Sequence, residues 1–506
     1  MAHFSEFRIE EQIWLGPDDK FVLQNRLSAA KRHIETLDEQ IKKLDCTCDT
    51  HISDLMHQKD TKLFEIASLR NILSPVRRIP VELLSKIFEL SCSPDYHFYP
   101  QYDIIRYTFI LSRVCVSWRT IAYATPRIWT RLCLSISEHS KAITKNVGWV
   151  QDWLSRSLAL PIELYLNTVT DNNDHIIGMC RILESVMEHS HRIRLLEFSG
   201  YSDPFHPIFV LPPSSFPVLE KISIEMYDDF LPPEIPRPIR AFLGAPKLSD
   251  IKIIRPHSIY TLEPLSLPTK QIATLTIDGS RELITHDPLV YAGILQQCQN
   301  LVSLDINPPS FFGFSSTLSI SLPTLKHLRI TCRRLQRGVS LLSCLTAPLL
   351  EDITVCWSGV IFEEFSHWMN TNSDLLSIPT LFPNLIKFRI RPIYNANALF
   401  QVMTYSTSQN FVLLPRLSTL DLEFQQQDNV PYPSELIAML LSRSWPLADS
   451  IQPDAGHSGE RLVASDYVGT LSRLQMLKIH GYTLKDADVE CITGIHGLHF
   501  DYRSKL

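Results

Sequence analysis

Apolar residues recur along most of the chain in one short pattern: an aliphatic residue, a second three positions later, and a third two positions after that. The alternation between the last two positions is typical of a strand with one buried face. The pattern therefore predicts a series of short strands, whose first apolar positions are Ile193, Leu219, Leu248, Ile272, Leu301, Leu325, Leu350, Leu385, Leu417 and Leu474.

The spacing of these copies predicts a repeat array. Six of the nine spacings are 24 to 29 residues, within the period of leucine-rich repeats, and the longer ones imply insertions. Several copies have a proline two residues before the first apolar position, which stops the preceding element: Pro217, Pro246, Pro323, Pro348, Pro383 and Pro415. We expect an α/β fold, an irregular leucine-rich-repeat-like solenoid in which each repeat adds one parallel strand.

Helical patterns between the strands predict an outer layer, as in Ile176–Met187, Pro288–Gln297 and Glu435–Leu441. The polar residues that alternate with the buried ones then point outward from the sheet. They are acidic at Asp278 and Asp305 and basic around Arg389, with Asp352 interrupting the basic band. We predict substrate contacts at this band, and the alternative is an ordinary solvated face. The predicted residues are Arg329, Lys387, Arg389, Arg391 and Asp421.

The first predicted helix carries a heptad seam. Its apolar positions are separated alternately by four and three residues, and mixed charges flank them. Two interpretations remain open: a coiled coil that forms a homodimer through this helix, or a helix that packs on its own chain. The seam comprises Leu23, Leu27, Ala30, Ile34, Leu37, Ile41 and Leu44.

A second helical segment follows the break at Ser74–Pro80, because Pro80 suits a first turn and Glu82 suits the positive end of a helix. The next helix has a wide apolar arc, typical of a helix with two partners. A later helix has Leu111, Val114, Cys115 and Trp118 on one face, and Arg131–Ser135 alternates like a strand. The wide arc consists of Val81, Leu83, Leu84, Ile87, Phe88 and Leu90.

Composition narrows the function classes. The 506 residues carry a net charge near −6, so no general field attracts nucleic acid. Apolar runs are far short of the roughly 20 residues that cross a bilayer, and the N-terminus lacks a secretory pattern. We therefore expect no membrane partner and an intracellular location, cytoplasm or nucleus. Phosphate loops and motif-readable catalytic or zinc sites are missing from the sequence, so we expect no enzyme activity, cofactor or metal.

The second helical segment resembles a known module. Ile79-Pro80-x-Glu82-Leu83-Leu84-x-x-Ile87-Phe88, followed by Leu111-x-x-Val114-Cys115-x-x-Trp118-Arg119-x-Ile121-Ala122, resembles the F-box motif. The continuation Thr125-Pro126-Arg127-Ile128-Trp129 is similar to the large F-box-like family of mushroom-forming fungi. The stretch Cys92–Asp103 is longer than the usual link between the first two helices of that motif. The resemblance implies a three-helix module that docks on a Skp-family adaptor through Pro80, Leu83, Leu84, Ile87, Phe88, Val114, Cys115 and Trp118.

What the resemblance implies is a non-catalytic substrate-recognition adaptor of a cullin-type ubiquitin ligase. The F-box-like module would bind the Skp-family adaptor, which bridges to a cullin, and the repeats would bind a target protein that the sequence does not identify. The alternative is a repeat scaffold for protein–protein interaction, with no ligase association, whose helical module caps the array. The expected domains are an N-terminal arm at 1–20, a coiled-coil-like segment at 21–74, an F-box-like domain at 75–137 and the solenoid at 138–506.

Overall fold

Two compact units make up the chain. A helical unit contains residues 1–133 and 152–160, and a sheet unit contains residues 134–151 and 161–506. Among the described residues, no helix combines the length and the apolar character that crossing a bilayer needs. The computed structural model describes residues 15–43, 49–92, 103–136, 148–168, 173–227, 238–254, 266–278, 288–307, 319–332, 341–357, 382–393, 397–404, 414, 416–424, 433–443, 473–481 and 484–503.

The helical unit begins with a hairpin of α1 (Pro17–Lys43) and α2 (Asp49–Leu73). Leu23 near the start of α1 packs against Leu69 and Ile72 near the end of α2, so the two helices are antiparallel. Ion pairs join them at both ends: Arg26 to Glu65 at 3.3 Å and Lys59 to Asp38 at 2.5 Å.

The heptad seam of α1 is therefore covered from within the chain. Leu23, Ala30 and Leu37 are almost completely buried, as are Leu55 and Ile66 of α2. Of the two interpretations of the seam, these contacts correspond to packing on the chain's own second helix. A homodimer through the same helix stays a prediction. Residue 44, the last seam position, lies outside the described residues.

Three short helices follow the turn Pro75–Arg78: α3 (Val81–Ser91), α4 (Asp103–Val114) and α5 (Val116–Tyr123). Pro80 is the residue that caps α3, where its missing N–H costs nothing. Residues 93–102, most of the long link between α3 and α4, lie outside the described part of the chain.

Trp129 is the centre of the core of this unit. It ends the short turn Pro126–Trp129, is fully buried, and donates from Nε1 to the carbonyl oxygen of Ala122 at 2.8 Å. Its ring meets Trp153 of α6 (Gly148–Arg156) edge to face at 4.8 Å, and the guanidinium of Arg156 lies over it at 4.8 Å. Aromatic packing therefore ties residues 152–160 to the helical unit, although β1 (Arg131–Ile136) precedes them in the chain.

Thirteen of the described strands form one sheet, and their order across the sheet is their order along the chain. From β2 to β15 every pairing in this sheet is parallel, which makes the fold α/β with a large parallel sheet. The strands are β1, β2 (Ile162–Thr168), β3 (Ile193–Gly200), β4 (Lys221–Met226), β5 (Asp250–Ile254), β6 (Thr274–Asp278), β7 (Ser303–Asn307), β9 (His327–Cys332), β11 (Asp352–Trp357), β12 (Lys387–Ile393), β13 (Thr419–Phe424), β14 (Met476–His480) and β15 (His499–Arg503).

A small parallel pair lies apart from this sheet, formed by β8 (Ile320–Ser321) and β10 (Leu345–Thr346). Helices connect the strands: α7 (Asn173–Met187), α8 (His206–Phe209), α9 (Pro288–Gln297), α10 (Leu341–Cys344), α11 (Asn397–Met403), α12 (Pro433–Arg443) and α13 (Asp486–Thr493). The three predicted helices correspond to α7, α9 and α12, and the predicted strand Arg131–Ser135 corresponds to β1.

Several strands of the sheet are entered through the same turn. In the turn before β4, Leu219 donates its N–H to the carbonyl of Phe216 at 3.4 Å, with Pro217 between them. Equivalent bonds precede Leu248, Leu325, Leu350 and Leu385. Proline suits the second position of such a turn because its φ is already fixed there. The prolines of the repeat pattern therefore set the entry to the sheet.

All ten predicted first apolar positions are buried, and the second and third positions form two buried rows across the sheet. Two strands of the large sheet, β2 and β15, do not follow the spacing of the ten predicted copies. In β2 the spacing is one residue shorter, Ile162-x-Leu164, and a β-bulge between Ile162 and Glu163 absorbs the difference against β3. In β15, Gly497 occupies the first apolar position and adopts φ +81°.

Candidate functional site

Helix α3 has a buried face and an exposed apolar face. Leu84 and Phe88 are buried, whereas Leu83 and Ile87 leave 58% and 43% of their surface in solvent and Leu90 leaves 64%. Steps of four and three residues place the last three on one side of the helix. Contiguous exposed apolar surface of this kind usually marks an interface.

The exposed apolar surface continues on the two following helices. Tyr107, Ile110 and Val114 lie at steps of three and four on α4, and each is close to half exposed. Val116, at the start of α5, is exposed as well. None of Tyr107, Ile110 and Val116 is in the predicted docking set, although helical spacing from Val114 was a signal that could have found the first two.

The eight residues of the predicted docking set divide by position. Leu83, Ile87 and Val114 are exposed, and Pro80, Cys115 and Trp118 are half-buried. Leu84 and Phe88 face the interior of the helical unit. The first six can therefore touch another molecule directly, whereas the last two support them from within.

Local hydrogen bonds fix the corner between α4 and α5. The Cys115 Sγ accepts from the backbone N–H of Trp118 at 3.4 Å and so caps α5. Arg119 Nε donates to the carbonyl of Ser112 at 3.0 Å, which joins the two helices. Thr125 Oγ1 donates to Ser85 Oγ at 3.1 Å and ties α3 to the end of α5. These hydrogen bonds fix α3, α4 and α5 relative to one another, and the exposed apolar residues lie on these helices.

In the sheet unit, one face carries three rows of side chains that alternate with the buried rows. The middle row crosses twelve strands in unbroken register, and its members share one side of the sheet. It consists of Tyr165, Glu197, Ser223, Lys252, Thr276, Asp305, Arg329, Thr354, Arg389, Asp421, Lys478 and Asp501.

Charge is unevenly distributed over this face. From β2 to β7 acidic side chains outnumber the lysines, among them Glu197, Glu225, Asp278 and Asp305. From β9 to β14 basic side chains outnumber the acidic ones. The face therefore has an acidic half and a basic half.

A cavity of about 630 Å³, here called the charged groove, lies over the basic half and extends to Asp305 on β7. All five predicted substrate-binding residues line it: Arg329, Lys387, Arg389, Arg391 and Asp421. Four further lining residues with a charged or imidazole side chain were not in the predicted set: Asp305, His327, Asp352 and Lys478. Lys478 occupies the polar position between Leu477 and Ile479, so the same alternation that found Arg389 could have identified it.

Carboxylates on neighbouring strands hold the arginines of the charged groove. Arg389 donates to Asp352 at 3.3 Å and lies 4.0 Å from Asp421. Arg391 also pairs with Asp421, whose side chain is only 5% exposed, and lies 3.9 Å from Glu423. Both guanidiniums remain partly exposed, so each keeps N–H donors that face solvent.

Burial raises the pKa of two carboxyl groups on the same face of the sheet. It raises the pKa of Asp305, an effect that Arg329 opposes and Asp278 increases. It also raises the pKa of Glu197 by more than Lys252 and Lys221 lower it. Both carboxyls lie in the acidic half, where each additional negative charge is less favourable.

Metal binding finds no support in the described residues, since no group of three or more His, Cys, Asp or Glu side chains among them is arranged to hold an ion. What the described residues offer is two surfaces suited to other molecules, one apolar and one charged. A comparison with models of known protein families and with curated proteins found no match to this chain.

Proposed function

We propose that the chain is an F-box-like protein that serves as the substrate receptor of a cullin-type ubiquitin ligase. In this proposal α3, α4 and α5 dock on a Skp-family adaptor, which connects to a cullin. The thirteen-stranded unit acts as a leucine-rich-repeat-like solenoid and binds the target protein. Neither part performs chemistry of its own.

One observation carries the proposal: the division of α3 into a buried face and an exposed apolar face. The residues that match the F-box motif include the exposed Leu83 and Ile87 and the buried Leu84 and Phe88. A helix that merely caps an array needs only one apolar face, whereas a docking helix needs two. The exposed row on α4 enlarges the available surface.

The sheet unit supplies the second half of the proposal. A parallel strand from each repeat lines up polar side chains in register over twelve strands, which suits recognition of an extended partner. The charged groove then provides a defined place on that face for contact with a target.

Co-purification with a Skp-family adaptor tests the docking half. The variant joins Leu83→Asp with Ile87→Asp, because both side chains are exposed and their loss leaves the core intact. Trp118 is a poor choice for such a variant, since its ring packs against Phe88 at 5.0 Å. We expect the native chain to bind and the double variant to lose about 2 kcal/mol or more of binding energy, roughly thirtyfold.

Leu63→Asp is the matched control, since it makes the same change at an exposed apolar residue of α2 on the hairpin. It should bind the adaptor like the native chain, and circular dichroism should show equal helix content in all three proteins. Failure of the native chain to bind any Skp-family adaptor would overturn the ligase role and favour the scaffold without ligase association.

A further inference from the structure

Two amines in the charged groove have no anionic partner among the residues that the structure describes. Lys387 and Lys478 both line the groove, and neither forms an ion pair with another described residue. They lie two strands and two residues apart in the sheet register, which places their Cα atoms about 12 Å from each other. A ligand with carboxylates at that separation can satisfy both at once.

The arginines beside them are already oriented. Asp352 and Asp421 hold Arg389, and Asp421 also holds Arg391, so these guanidiniums present their remaining donors without losing much side-chain freedom on binding. Asp352 and Asp421 are therefore positioning residues for the groove.

The same two carboxylates indicate which anion the groove suits. Asp421 is buried and the side chain of Asp352 is only 17% exposed, so both are fixed negative charges beside the two lysines. A peptide with well-separated carboxylates can pair with the lysines while adding little negative charge next to Asp352 and Asp421. A nucleic acid backbone brings phosphates and would place dense negative charge beside Asp352 and Asp421.

The acidic half of the face restricts where such a ligand lies. Asp305 on β7 lines the edge of the groove and Asp278 lies on the next strand, β6, so both repel an anionic chain that extends beyond β9. An acidic segment is thereby confined to β9–β14.

We propose that the charged groove over β9–β14 binds an acidic peptide segment, with carboxylates four residues apart on Lys387 and Lys478. The spacing follows from an extended chain, in which four residues span about 13 Å. The proposal deepens the receptor role and rests on it only in taking the segment to belong to the ligase target. It names the chemistry of the target: carboxylate side chains in an extended stretch.

Fluorescence anisotropy of the full chain tests this proposal with a labelled twelve-residue peptide of Gly and Ser that carries Glu at every fourth position. We expect saturable binding that weakens with added salt. The Debye length, over which charges interact, falls from about 10 Å at 0.1 M to about 3 Å at 1 M ionic strength. The same peptide with Gln in place of Glu should not bind. Equal binding of both peptides would overturn the proposal.

The variant for this experiment joins Lys387→Glu with Lys478→Glu and should weaken binding by about tenfold or more. Lys252→Glu is the matched control, because Lys252 occupies the same row of the sheet as Lys478 but lies on β5, outside the groove. It should leave the affinity for the Glu peptide within about twofold. An equal loss in both variants would contradict a defined site and indicate only a general charge effect.

A third peptide with phosphoserine at the Glu positions separates the two sources of negative charge. Binding of the Glu peptide at least as tight as the phosphoserine peptide supports the proposal, and binding of the phosphoserine peptide alone overturns it. Failure here is distinguishable from failure of the ligase role, because the adaptor experiment uses residues of the helical unit. If the chain binds the Glu peptide but no Skp-family adaptor, the proposal for the charged groove stands and the proposed ligase role is wrong.

Discussion

Phe88 of α3 and Trp118 of α5 pack with their ring centroids 5.0 Å apart and their planes inclined at 56°. Phe88 is fully buried, while Leu90, two residues later, leaves most of its surface in solvent. This contact decides which side of α3 faces inward. The opposite side, with Leu83 and Ile87, is consequently left for another molecule.

Truncating the buried side of α3 should destabilise the protein. Phe88→Ala removes a completely buried ring and its contact with Trp118, so we expect the free energy of unfolding to fall by about 3–5 kcal/mol. Leu90→Ala is the control from the exposed side and should change it by less than about 0.5 kcal/mol. Urea unfolding followed by circular dichroism measures both, and similar losses in the two variants would show that the assignment of faces is wrong.

The strands were predictable from sequence because each repeat buries the same two alternate positions. Deviations appear where the local spacing changes: the bulge at Ile162 in β2 and the glycine at position 497 of β15. Neither position breaks the sheet, since the neighbouring strand supplies the register that the local sequence lacks. Pairing with a neighbouring strand therefore fixes the register of β2 and β15, which the apolar pattern does not predict.

The site was predictable only as a set of outward residues. Alternation placed Arg389 and Asp421 on one face, but their pairing depends on which strands become neighbours, β12 and β13, across a gap of about thirty residues. The wide apolar arc of α3 likewise indicated two partners. Its division into buried Phe88 and exposed Leu83 follows from Trp118, which lies on a different helix.

Replacing the glycine at the end of β3 should destabilise the protein. Gly200 adopts φ +138°, and a Cβ added there would lie 2.1 Å from the carbonyl oxygen of Thr168 on the neighbouring strand. We expect Gly200→Ala to lower the free energy of unfolding by about 2 kcal/mol or more. Gly293 inside α9 has open space around an added Cβ, so Gly293→Ala should raise stability by about 0.5–1 kcal/mol.

Thermal and urea unfolding of the two alanine variants check this pair of glycines. The opposite signs make the comparison informative, because a general effect of alanine cannot produce both. A Gly200→Ala protein with the same free energy of unfolding as the native chain would contradict the close approach of β3 to β2.

A leucine in left-handed conformation follows α6. Leu158 adopts φ +52° two residues beyond the end of that helix, a position that usually carries glycine, and its side chain is largely exposed. We expect Leu158→Gly to raise the free energy of unfolding by about 0.5–1 kcal/mol, because it relieves this strain. Leu158→Val, with a branched Cβ, should lower it instead. Urea denaturation of the three proteins gives the order, and a less stable glycine variant would contradict it.

Removing the charge of Glu197 should stabilise the sheet unit near neutral pH. Burial raises the pKa of this carboxyl above its ordinary value of 4.5, so the folded state binds its proton more tightly than the unfolded chain does. The stability contributed by the protonated group is complete below pH 4.5 and is lost as the pH rises through the higher folded value. At pH 7 the charged carboxylate is therefore a cost.

Glu197→Gln should consequently be more stable than the native protein at pH 7, and the difference should shrink towards zero as the pH falls below 4.5. Urea unfolding at pH 7, 5.5 and 4 measures the difference in free energy. Glu490→Gln, an exposed change of the same kind on α13, should alter stability by less than about 0.5 kcal/mol at each pH. A Glu197→Gln variant that is less stable at pH 7, or a difference that grows towards acid, would mean that attraction from Lys221 and Lys252 outweighs burial.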